Sequence, residues 1–61
     1  MALRIEYFAN GERVMIVTCP KWLEDAKADA LKGLAFYNAD TAKVIDVDME
    51  SGGTVMAVVR L

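Results

Sequence analysis

Leu3-Arg4-Ile5-Glu6-Tyr7-Phe8-Ala9-Asn10-Gly11-Glu12-Arg13-Val14-Met15-Ile16-Val17-Thr18 is the stretch on which the fold turns. Asn10-Gly11 is the dipeptide that best tolerates the positive φ angles of a type I′ turn, and alternating residues flank it. The stretch therefore predicts two antiparallel strands, at residues 3–9 and 12–18. A two-residue loop sets the register. Tyr7/Val14, Ile5/Ile16 and Leu3/Thr18 share the expected core side, while Phe8/Arg13, Glu6/Met15 and Arg4/Val17 share the other.

A second hairpin signal, Glu50-Ser51-Gly52-Gly53-Thr54, joins predicted strands at residues 42–50 and 54–61. A loop of residues 51–53, with a glycine in the left-handed position, pairs Met49/Val55, Val47/Ala57 and Ile45/Val59 on one face. Glu50/Thr54, Asp48/Met56, Asp46/Val58 and Val44/Arg60 then share the other; a two-residue loop would set carboxylates beside valines. Between the hairpins, residues 21–37 have helical spacing, with Trp22, Leu23, Ala26, Ala30, Leu34 and Tyr37 on the core-facing side. Pro20 suits the first turn, with Thr18 or Cys19 as cap. Gly33 either ends the helix or costs about 1 kcal/mol relative to Ala inside it. Continuation to the region of residues 38–40 is expected, because stopping at Gly33 would strand Leu34, Phe36 and Tyr37.

These elements define one α+β domain over residues 1–61, a two-layer β-β-α-β-β sandwich in which one helix covers one face of a four-stranded antiparallel sheet. The second and fourth strands are apolar on both faces, and the first and third carry charges, which suits sheet edges; the expected order is 1-2-4-3. The segments LEDAKADAL (residues 23–31) and KVIDVDMESGGTVMAVVRL (residues 43–61) resemble small bacterial proteins in which a helix precedes a C-terminal hairpin. The resemblance covers about half the chain and implies a fold and a bacterial origin, with no activity and no functional residues attached to it.

Composition narrows the possible functions. A 61-residue domain buries only about 60% of its unfolded surface, so a chain that is 56% apolar, with mean hydropathy +0.27, should leave apolar surface for self-association. One cysteine and no histidine exclude an internal disulfide, Cys-His and Ser-His-Asp catalysis, and the usual zinc sets. A net charge of −2 without a Lys/Arg block predicts no nucleic-acid partner. The longest apolar run, residues 55–59, predicts no membrane segment, and a cytoplasmic location is expected, with no cofactor.

The expected strand order puts Met15 and Val17 beside Met56 and Val58 in the middle of the uncovered face, with Phe8 and Val44 flanking and a charged rim of Arg4, Glu6 and Arg13 on one side and Asp46, Asp48, Glu50 and Arg60 on the other. That anatomy predicts a non-enzymatic interaction domain that forms a homodimer through this face. The alternative is a regulatory or antitoxin-like subunit that binds a different protein. Further candidates are a divalent-metal site at Asp46, Asp48 and Glu50, which alternate along one strand, and a reactive thiol at Cys19 ahead of the helix.

Overall fold

The computed structural model describes residues 2–19, 22–47 and 53–61. The chain runs through β1 (Leu3–Ala9), β2 (Glu12–Cys19), α1 (Leu23–Phe36), β3 (Thr41–Asp46) and β4 (Thr54–Arg60), forming one antiparallel sheet and one helix. The α+β class is the one the sequence predicts. The strand order is 2-1-3-4 rather than 1-2-4-3, so the two charge-bearing strands are central. The reason lies in how those charges are distributed. Arg4, Glu6 and Lys43 all project to one side of the sheet, leaving Leu3, Ile5, Tyr7, Ala42 and Val44 on the other side, fully buried beneath the helix. Burial of a whole strand face outweighs the preference of charges for an edge. β2 and β3 are both antiparallel to β1 and so run parallel to each other, with the helix returning the chain across the sheet.

The first turn forms as expected: Asn10 and Gly11 have φ of 54° and 82°, and Ala9 faces Glu12 and Phe8 faces Arg13. Beyond it, a bulge places Val14 as an extra residue, and every later pair shifts by one, to Tyr7/Met15, Ile5/Val17 and Leu3/Cys19. Met15, Val17 and Cys19 therefore lie on the helix side, and Ile16 and Thr18 on the open side. A strand apolar on both faces supplies no pattern to fix its parity.

The second hairpin departs further. β3 ends at Asp46, and Ala42 faces Val59, Val44 faces Ala57 and Asp46 faces Thr54, with Met56 unpaired at a second bulge. Val44 is thus buried on the helix side rather than exposed on the open face, and the predicted strand residues 48–50 lie outside the described residues. Gly53, just before β4, takes φ 116°, and a Cβ there would come within 2.8 Å of Ile45 Cγ2.

Helix α1 continues through Gly33, which is buried. A Cβ there would fall on the Tyr7 hydroxyl and Cζ and lie 2.6 Å from Cε1, so the absent side chain is what lets the tyrosine ring pass beneath the helix. Ala26, Ala30 and Leu34 complete the buried stripe. The helix ends in a Schellman arrangement: Asn38 takes φ 55°, the Ala39 N–H donates to the Leu34 carbonyl at 2.8 Å and the Asn38 N–H to that of Ala35 at 3.4 Å. Trp22 is the N-cap, in extended conformation and 72% exposed, so it is not the core residue its spacing suggested. Asp40 then ties the sheet together. Its N–H donates to the Phe8 carbonyl, its carboxylate accepts from the Asn10 N–H at 2.9 Å and the Thr41 hydroxyl at 2.8 Å, and its carbonyl accepts from the Leu61 N–H. Those donors hold the Asp40 carboxyl below its ordinary pKa. Among the described residues, no helix is long and apolar enough to cross a membrane.

Gly33→Ala tests the packing reading. Helix propensity alone would make it stabilising by about 1 kcal/mol, whereas crowding of Tyr7 makes it destabilising by about 1–3 kcal/mol in urea denaturation.

Candidate functional site

The register lays out the open face as three rows crossing the sheet from β2 to β4. The first is Arg13, Phe8, Thr41, Arg60; the second Ile16, Glu6, Lys43, Val58; the third Thr18, Arg4, Ile45, Val55. Of the residues predicted to form an interface, Phe8, Val58, Arg4, Arg13 and Arg60 lie on this face. Met15, Val17 and Val44 lie on the opposite side, and Met56 sits at the β4 bulge. The centre of the face is consequently ionic rather than apolar. Glu6 is only 8% exposed although no helix covers it, because neighbouring side chains enclose it. Its carboxylate lies 2.8 Å from Arg4 Nε and 3.8 Å from Arg13 Nη1. The Arg4 contact is an ion pair without an aligned hydrogen bond. Lys43 places its ammonium 5.0 Å from the centroid of the Phe8 ring, within cation–π range.

The predicted acidic cluster does not assemble on this face. Asp46 shares the side of Leu3, and Asp48 and Glu50 lie outside the described residues. Among the described residues, no group of three metal-ligating side chains comes together.

A second feature was not foreseen. The helix packs chiefly on β1, β3 and β4, which leaves the helix side of β2 largely uncovered at Met15 and half-covered at Val17, with Cys19 buried at the strand's end. Between α1 and β2 opens a groove of about 390 Å³, lined among others by Ile5, Tyr7, Val17, Cys19, Phe36 and Tyr37. Cys19 lies in this lining and is buried, four positions before the helix starts. The two tyrosine rings stack at 4.8 Å with a tilt of 48°, and the Tyr7 hydroxyl donates to the Asp29 carbonyl at 3.4 Å. Burial, followed by Tyr37, Asp29 and Cys19, raises the Tyr7 pKa above 10.0. β2 itself is exposed on both faces, with Val14 at 46%, Met15 at 39% and Ile16 at 44%. Its outer edge has no neighbouring strand among the described residues.

Comparison with protein-family models, with curated proteins and with solved structures found no match. The chemistry must therefore be read from these surfaces alone: an apolar open edge with a groove behind it, and a basic sheet face.

The raised Tyr7 pKa fixes the sign of a pH effect. The folded protein keeps this proton where the unfolded chain, at 10.0, releases it, so the stabilisation is intact below that pH and is lost as pH rises through the folded pKa. Urea midpoints at about pH 9 and about pH 11 should fall further apart in the wild type than in Tyr7→Phe; equal differences would remove the hydroxyl from the account.

Proposed function

We propose that this protein is an association domain that forms a homodimer by antiparallel pairing of β2 with the β2 of a second copy, and that it carries out no chemistry of its own. The observation that carries this reading is the state of β2: it is an edge strand whose Val14, Met15 and Ile16 are exposed, Met15 on one face and Ile16 on the other. Such an edge is a template for strand addition unless charge, proline or a covering element blocks it. β4 is also an exposed edge, but its bulge at Met56 falls in mid-strand, whereas the β2 bulge at Val14 lies near the turn and leaves residues 15–19 in regular register. Pairing that run would join two sheets into one of eight strands, with the helices on the same side and the β2 strands between them. The pairing would also bury apolar surface that a chain of this size leaves uncovered.

An open-face contact between two copies is less well supported, because a two-fold axis there would set like charges against like. The reading predicts a molar mass near twice 6.7 kDa by light scattering, persisting on dilution. Ile16→Lys should return the mass to that of one chain with the circular dichroism spectrum preserved, and Val58→Lys, on the same face at the other edge, should leave it doubled. A single-chain mass for the wild type at all concentrations would sink the proposal.

A further inference from the structure

The open face is far more basic than the chain that carries it. Among the described residues it holds Arg4, Arg13, Lys43 and Arg60 against the carboxylate of Glu6 and, at its rim on the Thr41 hydroxyl, that of Asp40, a surplus of two positive charges on a protein of net charge −2. Away from this face, the described residues hold Lys27 and Lys32 with Glu12, Glu24, Asp25, Asp29 and Asp46. Composition hides this separation because the two populations nearly cancel. Glu6 neutralises one charge and anchors the Arg4 and Arg13 side chains, and Arg60 makes no ion pair among the described residues.

We propose that this face binds an acidic protein segment in extended conformation. Three features point to that ligand. Guanidinium groups bind carboxylates in paired, directional hydrogen bonds, and three of the four cations are arginines. Arg13 and Arg60 end the same row three strands apart, roughly 14 Å at about 4.8 Å per strand, which matches carboxylates four residues apart on an extended chain at about 3.3 Å per residue. Among the described residues the only ring on the face, Phe8, lies under Lys43, which leaves no stacking platform there of the kind that single-stranded nucleic acid uses. The exposed Ile16, Val55 and Val58 lie among the cations and would receive aliphatic side chains of the segment. The proposal does not depend on dimerisation through β2, which leaves this face open.

The test is fluorescence anisotropy with a labelled peptide of alternating Glu and Ser, a Lys-Ser peptide and an oligothymidylate, each at low and at physiological salt. The acidic peptide should bind and the basic one should not, with affinity falling about tenfold between the two salt conditions, as expected for rim charges. Arg13→Glu combined with Arg60→Glu should abolish binding. Arg60→Gln, which breaks no contact within the fold, should weaken it severalfold with an unchanged circular dichroism spectrum. Absence of peptide binding at low salt, or equal binding by Arg60→Gln, would overturn the proposal. Tighter binding of oligothymidylate than of peptide would also overturn it and reassign the face to a phosphate backbone.

Discussion

The passage of the Tyr7 ring beneath Gly33 positions everything else. A buried tyrosine in the middle of a central strand occupies volume that a helix with any side chain at that point could not approach, and Gly33 supplies the gap. Ala26 and Ala30 hold the same close spacing earlier in the helix, so the helix sits low over β1 and β3 and is carried toward β4. With one helix and four strands, a cover seated there cannot also shield the whole of β2. The open edge, the groove beside it and the exposed Val14, Met15 and Ile16 all follow from that placement.

Polar residues respond to the same constraint. Once Leu3, Ile5 and Tyr7 are committed to the helix side, the intervening Arg4 and Glu6 must face outward, and pairing with β3 adds Lys43 to the same face. The charges there compensate one another, because Glu6 is flanked by Arg4 and Arg13 and both guanidiniums keep access to water at their ends, while Arg4 Nε is buried without an aligned hydrogen bond. Asp40 performs the complementary task at the end of the sheet, where its carboxylate and backbone join the first turn, β1, β3 and the end of β4.

Much of this was legible in the residues. Asn10-Gly11 identified its turn, the alanine stripe gave the helix face, and the helix continues past Gly33 as Leu34, Phe36 and Tyr37 argued, although Phe36 itself is 79% exposed. Register was less accessible, since Val14-Met15-Ile16-Val17 offers equal apolar character to both sides and a single bulge inverts the assignment. Strand order failed for a related reason: charges on β1 and β3 looked like edge markers until their common direction was known. The same parity decides the electrostatics. With Asp46 on the open face the surface reads as mixed, and with Asp46 on the side of Leu3 it becomes basic.

The most direct measurement is a double-mutant cycle between Tyr7 and Gly33, with unfolding free energies for wild type, Gly33→Ala, Tyr7→Leu and the double variant. If the ring is what excludes a side chain at residue 33, alanine there should be neutral or stabilising by up to about 1 kcal/mol once Tyr7 is replaced, giving a coupling well above the ~0.5 kcal/mol typical of independent sites. The same cost for Gly33→Ala in both backgrounds would contradict the seating of the helix on Tyr7.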